Sequence, residues 1–419
     1  MKKETKKAPI IRFRGFTDDW EQRKLAQFFF TATEKNDDGE YSQADILAAS
    51  LGTELEKKHI FFGLRSTAES VKKYRKVQLG DIVYTKSPIK HYPNGIFRTC
   101  KKIPGIVPSM YCVYHKRGNI KINTSIVQCF FENKYRLDNY LRPLVNVGAR
   151  NNVNITDEEA LKGTITIPIN IEEQTKIVNL IEKLTILITL HQHKLDQLKK
   201  LKKFFLQNMF PAKGEKVPRI RFKGFTGDWE QRKLGNISAF ITKGSTPTTY
   251  GYHWVDYGIP FFRNDSIQEN TFVYGNYSYI SNEANDALKR SEITAKDILI
   301  AITGEIGKVG IVPDNIKKAN INQHMARVRI SKEAVPYFVY QYLATGKIQN
   351  EYQKIKTGLS MPQLSLEQIR NTTILLPCYE EQFKISDYLS GLDNLITLHQ
   401  RKLNQLQTMK KFMLQNLFI

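Results

Sequence analysis

The chain has 419 residues, with 63 lysines and arginines against 41 aspartates and glutamates, a formal net charge of +22 at pH 7. At 41% hydrophobic and 11% aromatic it is too apolar for a disordered basic tail, and it is long enough for more than one domain with its own core. No apolar run approaches the ~18 residues of a membrane-spanning helix, residues 1–7 lack a signal-peptide core, and four cysteines are too few for a disulfide framework. The expectation is a folded cytoplasmic protein that meets a polyanion, nucleic acid first, although positive charge can also serve solubility alone.

In chain order, the first feature is the block Ile11 to Leu25, I-R-F-R-G-F-T-D-D-W-E-Q-R-K-L, which returns as Ile220 to Leu234 with thirteen of fifteen positions identical. Residues 26–168 follow, with 21 Lys/Arg and 14 Asp/Glu. Leu79 to Tyr84 and Gly105 to Pro108 have the apolar, turn-bounded pattern of short strands, so a mixed α/β segment is predicted. Candidate DNA contacts here are Lys72, Lys73, Arg75, Lys86, Arg98, Lys101, Lys102, Lys116 and Arg117, residue types that serve phosphates and base edges. Taken singly, each cluster reads as a solvated turn; the signal is collective. Cys112 and His115 form a lone C-x-x-H, which reads as a core thiol and a surface imidazole, not a zinc site.

After Pro168 and the acidic pair Glu172-Glu173, an unbroken helix of about 38 residues is predicted, ~57 Å long at 1.5 Å per residue. Its counterpart follows Pro377 and Glu380-Glu381, and residues 171–210 and 379–418 share 23 of 40 positions. Alternating spacings of four and three run through Ile177, Ile181, Leu184, Ile188, His191, Leu195 and Leu198, and through Ile385, Leu389, Leu392, Ile396, His399, Leu403 and Leu406. That is a coiled-coil seam, the alternative being an amphipathic helix packed on a globular core. His191 and His399 read as a polar layer fixing register, and Lys202 and its counterpart Lys410 also fall on the seam.

Between the second short block and the second helix lie residues 236–377, which do not visibly resemble 26–168. A buried-type strand is predicted at Asp297 to Ile302, and Ala326 to Ile330 alternates apolar with basic. Candidate contacts are Lys243, Ser245, Thr246, Thr248, Arg263, Asn264, Lys308, Asn322 and Gln323; the glycine loop at 243–249 bundles hydroxyls, a cation and a flexible backbone. No phosphate-binding G-x-x-x-x-G-K-[ST], no G-x-G-x-x-G after a strand, no amino-methyltransferase signature and no H-E-x-x-H occurs. The chain reads as a binder without catalytic residues, metal or cofactor.

The paired R-F-[RK]-G-F-T-x-D-W-E-Q-R-K-L blocks, the paired E-E-Q helices and the K-G-S-T-P and T-G-E-I-G-K-V-G elements resemble the specificity subunit of type I restriction-modification enzymes, over essentially the whole chain. The resemblance implies an α+β fold: two mixed α/β target-recognition domains separated by two long conserved helices packed as an antiparallel coiled coil, with a pseudo-two-fold internal repeat. The expected organisation is 1–25 proximal block, 26–168 recognition domain 1, 169–217 spacer helix 1, 218–235 repeated block, 236–377 recognition domain 2 and 378–419 spacer helix 2. It also implies double-stranded DNA, two modification (methyltransferase) subunits and restriction (translocase-nuclease) subunits as partners, with each domain reading half of a bipartite site. The first domain departs from the family pattern, with no K-G-x-T-P loop and Thr85-Lys86-Ser87-Pro88 where T-G-x-x-G would follow the strand. The alternative is a coiled-coil scaffold, or a basic DNA-binding protein without base specificity. From the repeat alone, nine residues join Phe210 to Ile220, so Phe418 and Ile11 are expected to lie equally close.

Overall fold

The computed structural model describes residues 8–49, 54–57, 67–86, 92–118, 120–147, 153–358 and 362–419. Ser87 and Pro88, singled out above, lie outside them, as do residues 1–7. The chain forms two compact units, Met1–Gln192 with Arg401–Ile419, and His193–Gln400.

In the first unit, β1 (Glu21–Lys24), β2 (Phe29–Thr31), β3 (Ile82–Thr85), β4 (Ile96–Thr99) and β5 (Tyr111–Lys116) precede helix α1 (Ser125–Phe131) and β6 (Thr164–Ile167). Four of these strands form an antiparallel sheet in the order β2-β5-β3-β4. Every residue of β3 and β4 is buried, which is why β3 reads in sequence as a continuous apolar run. Phe97 stacks between Tyr84 and Phe131, with ring centroids 4.7 and 4.5 Å away. Strand β1 pairs with β6, Glu21 opposite Ile167, so the E-Q-R-K of the repeated block ties the start of the domain to its last strand.

Helix α2 (Ile171–Asn208) follows, capped by Asn170 Oδ1, which accepts from the Glu172 main chain at 2.8 Å. The second unit then contains β7 (Glu230–Lys233), β8 (Ser238–Lys243), β9 (Ile298–Ala301), β10 (Val309–Ile311), β11 (Met325–Ile330), α3 (Pro336–Leu343), β12 (Thr373–Leu376) and α4 (Tyr379–Asn416). Its principal sheet runs β8-β11-β9-β10, again antiparallel throughout, and β7 pairs with β12, Glu230 opposite Leu376. A second sheet orders Ser278–Ile280, Ile259–Phe262, Ala319–Ile321 and Glu292–Ile293 side by side.

The two segments that show no visible sequence similarity therefore share one sheet plan. The agreement extends to side chains. Buried Asp81 precedes β3 and meets His115 Nδ1 at 2.6 Å, and His115 stands edge-on to Phe30. Buried Asp297 precedes β9 and takes both Nε and Nη2 of Arg329 at 2.6 Å, and Arg329 lies over Phe240. Burial pushes the Asp81 carboxyl up in pKa against the opposing pull of its His115 hydrogen bond. The hydrogen bond to Asp297 raises Arg329 further. The partner of the buried aspartate is a histidine in one domain and an arginine in the other, too little for sequence comparison to detect.

Both long helices span 38 residues without interruption. In the first unit, Ile177 and Ile181 of α2 share a core with Leu414 and Leu417 from the other end of α4. In the second, Leu198 of α2 shares one with Ile385, Leu389 and Leu392 of α4. The start of each helix thus meets the end of the other, an antiparallel pair. Along the seam Leu184, Leu195, Leu403 and Leu406 are also buried, while Ile188, His191, Ile396 and His399 are half-buried.

The E-E-Q motif fastens block and domain to each helix. Glu173 is buried and receives Arg12 Nε and Nη2 at 2.7 and 2.9 Å; Glu381 is buried and receives Arg221 Nε and Nη2 at 2.7 and 2.8 Å. These hydrogen bonds raise the pKa of both guanidinium groups. Gln174 Nε2 donates to the Pro168 carbonyl at 2.8 Å and Gln382 Nε2 to that of Pro377 at 2.9 Å.

Candidate nucleic-acid interface

In the second domain the sequence candidates come together. Lys243 ends β8, and Gly244 follows where a Cβ would lie 1.9 Å from the Asn322 carbonyl oxygen, so only glycine fits. The main chain of Gly244 donates to Met325 at 3.0 Å and that of Ser245 to Ile321 at 3.1 Å, zipping the glycine loop onto the turn that carries Asn322 and Gln323. Thr246 Oγ1 then donates to Gln323 Oε1, Gln323 Nε2 meets His324 Nε2 at 3.2 Å, and His324 Nδ1 meets Thr303 Oγ1 at 2.6 Å. Gly304 and Gly307 take positive φ, 72° and 84°, so the T-G-E-I-G turn folds back after β9. Gln349 and Gln353 pin it, donating to the Gly307 and Ile306 carbonyls at 2.6 and 2.7 Å. Asn264 reaches this turn: a Cβ on Gly304 would stand 3.5 Å from its Nδ2. Lys308 pairs with Glu305 on the turn, Asn322 is buried, and Thr248 is exposed.

Arg263 lies with its Cζ 5.4 Å from the Trp254 ring centroid and donates to Ser278 Oγ at 3.1 Å. Trp254 belongs to a set that sequence reasoning missed, with Tyr250 and Tyr257, all exposed, Tyr257 at 85%. The signal was the aromatic spacing in T-T-Y-G-Y-H-W-V-D-Y-G directly after the glycine loop. Exposed aromatic faces beside hydroxyls, amides and a cation offer stacking together with hydrogen bonding.

The first domain's candidates are dispersed. Lys72, Lys73, Lys116 and Arg117 are exposed, Arg117 with its Cζ 5.7 Å from the Phe30 ring centroid. Arg75 and Lys86 converge on one carboxylate, Asp157, with Lys86 Nζ 2.9 Å from Oδ1. Burial raises the Asp157 pKa, but hydrogen bonds from Cys112, Lys86 and Arg75 outweigh it and hold the carboxyl below its ordinary value. The Cys112 thiol on that node is pushed up to about 12 by burial, a core group. Arg98 is buried on β4 and donates to the Phe97 carbonyl at 2.9 Å. Lys101 bridges Glu54 at 3.1 Å and Glu182 of α2 at 2.8 Å, and Lys102 pairs with Glu56. Residue type selected these cations; the fold engages Arg75, Lys86, Arg98 and Lys101 internally.

Each long helix also carries an exposed apolar stripe away from the seam: Leu187, Leu190, Leu201 and Phe204 on α2, and their repeat counterparts Leu395, Leu398, Met409 and Phe412 on α4. At 100° per residue each set falls within about 100° of the helix surface. Among the described residues no His, Cys, Asp and Glu group could hold a metal ion, and no helix is long and apolar enough to cross a membrane.

Residues 226–408 match the model of the family described as type I restriction modification DNA specificity domain. The putative type I restriction enzyme MjaX specificity subunit of Methanocaldococcus jannaschii is 28% identical over 269 residues, 62% of this chain and 59% of that protein. The type I restriction enzyme EcoBI specificity subunit of Escherichia coli is 30% identical over 165 residues, 38% of this chain and 33% of that protein. The matched stretches thus span less than two thirds of either relative. The fold is that of the type I restriction-modification system S subunit from M. genitalium, with a TM-score of 0.64 at 13% identity, covering 98% of this chain and 99% of that one. Residues 226–408, a little under half of the chain, thus carry a type I restriction modification DNA specificity domain, and the fold over nearly the whole chain is that of an S subunit.

Proposed function

We propose that this chain is the non-catalytic, DNA-reading subunit of a type I restriction-modification complex. Residues 26–168 and 236–377 each read one half of a bipartite DNA site, and the helix pair sets the distance between the halves. The observation that carries this reading is the pairing of one repeated frame with one repeated sheet plan whose loops differ. A frame held constant under loops of different chemistry suits assembly at the constant parts and recognition at the different ones. In the second domain the loops at 243–250, 263–266, 303–308 and 322–324 supply the polar groups for base edges and phosphates. In the first, exposed Lys72, Lys73, Lys116 and Arg117 supply phosphate contacts, and the net +22 favours the duplex at long range.

The exposed stripes seat the methyltransferase subunits. The first unit carries Leu187, Leu190, Met409 and Phe412, and the second carries their counterparts Leu395, Leu398, Leu201 and Phe204. The same set twice suits two copies of one partner. Restriction subunits join through that assembly, in the cytoplasm. Mapping of modified adenines in a genome carrying this chain and its partner subunits tests the reading. A two-part motif with a fixed unread gap is expected; a continuous motif, or no motif dependent on this chain, contradicts it.

A further inference from the structure

The lysine at the equivalent layer of each helix is answered differently in the two units. In the second, Lys202 Nζ lies 2.6 Å from Asp393 Oδ1 on α4, and Oδ2 accepts from Tyr337 Oη at 2.5 Å and Gln341 Nε2 at 2.8 Å, both on α3 of the domain. In the first, Lys410 Nζ lies 2.6 Å from Glu132 Oε2, a residue of the domain itself, directly after α1. The helix repeat, offset by 208, places Thr185 where Asp393 stands. Thr185 Oγ1 donates to the Ile181 carbonyl of its own helix and brings no charge.

The domain helices can be aligned as well. The Asn123 main chain donates to Gln174 Oε1 and the Val335 main chain to Gln382 Oε1, both at 2.9 Å. That offset of 212 pairs Ser125 with Tyr337 and Cys129 with Gln341. It also pairs Phe130 with Tyr342, which meet the equivalent rings Phe418 and Phe210 at 5.9 and 5.5 Å. One seat therefore sets an acid on the helix against Tyr337 and Gln341; the other sets an acid on the domain against a neutral helix position.

We propose that Asp393 and Glu132 match each recognition domain to its own seat on the helix pair. The proposal rests on the reading of 26–168 and 236–377 as separate recognition domains. The glutamine contacts reach only main-chain atoms and would accept any domain; the carboxylates would not. Placed on the first seat, the second domain would bury Tyr337 and Gln341 against Thr185 and leave Lys410 without its acid. Placed on the second seat, the first domain would crowd Glu132 and Asp393 around Lys202. Both arrangements leave a desolvated polar or charged group unmatched.

The test uses the purified full chain and its melting temperature, with no DNA. In a chain where 236–377 also replaces 26–168, Thr185→Asp should raise the melting temperature by roughly 5 °C, whereas in the natural chain it should lower it. Should the duplicated chains not fold, the natural chain decides. Asp393→Thr should lower its melting temperature by roughly 5 °C, and adding Gln341→Glu, which moves the acid onto the domain, should restore at least half of the loss. No loss on Asp393→Thr, or no recovery with Gln341→Glu, overturns the proposal. Because melting is read without DNA, a chain that melts as expected but reads no bipartite site would refute the recognition reading alone.

Discussion

The Ile11 main-chain N–H donates to the Asn416 carbonyl at 3.0 Å, and its repeat counterpart Ile220 donates to Asn208 at 2.9 Å. Peptide links join Asn208 to Ile220; none joins Asn416 to Ile11, yet the contact is the same. Trp20 repeats it, edge-on to Phe418 at 6.0 Å, as Trp229 stands to Phe210 at 6.3 Å. A chain in which a copy of 211–219 joins Phe418 to Ile11, reopened near Gly214, should therefore fold and keep its DNA specificity. Gly214 has open space around it and suits new ends. Circular dichroism melting and DNA binding check this; collapse of the fold in the permuted chain would show that continuity at 211–219 is needed for more than proximity.

Arg12→Ala and Arg221→Ala should destabilise their units alike, because each leaves a buried glutamate without its bidentate partner. The loss is about 3 kcal/mol for each in denaturant unfolding. Replacing both members, as in R12M with E173M, should cost less than Arg12→Ala alone, since no unpaired charge remains buried.

Gly244→Ala should abolish recognition by the second domain with little global effect. Its Cβ would meet the Asn322 and Ile321 carbonyl oxygens at 1.9 and 2.3 Å, so the glycine loop must detach from the Asn322 turn. DNA affinity is expected to fall by at least about tenfold, the order of one good base contact, while the modified bases of the other half-site stay unchanged.

Asp157→Asn should release Arg75 and Lys86 to solvent. Binding to DNA of unrelated sequence should strengthen, and the slope of log affinity against log salt should steepen by up to about two. The same carboxylate sets a pH dependence. Its folded pKa lies below the unfolded value, so its contribution to stability is complete above the unfolded value and is lost as pH falls through the folded one. Wild type should therefore lose stability on acidification below about pH 4 that Asp157→Asn does not lose.

Much of the frame was legible in sequence because its signals are local or periodic. The helices begin three and two residues after Pro168 and Pro377, and β9 covers Ile298–Ala301 within the predicted strand. What the E-E-Q motif does was not legible, since Glu173 finds its partner 161 residues away. The common sheet plan escaped because buried strands accept any apolar residue of suitable size, leaving little beyond Asp81 and Asp297 before matching strands and Phe30 and Phe240 on β2 and β8. Charge type located the second domain's loop cluster but could not separate exposed Lys116 from buried Arg98, which differ only in the face and neighbours the sheet gives them. Trp254 and Tyr257 were passed over because aromatic residues read first as core.

The most direct measurement replaces 236–377 with the corresponding segment of a type I specificity subunit and maps modified adenines in DNA from cells carrying the hybrid and the partner subunits proposed above. Two separate readers on one frame predict a new sequence in one half of the site, with the other half and the gap between them unchanged. Alteration of both halves, or of neither, would contradict it.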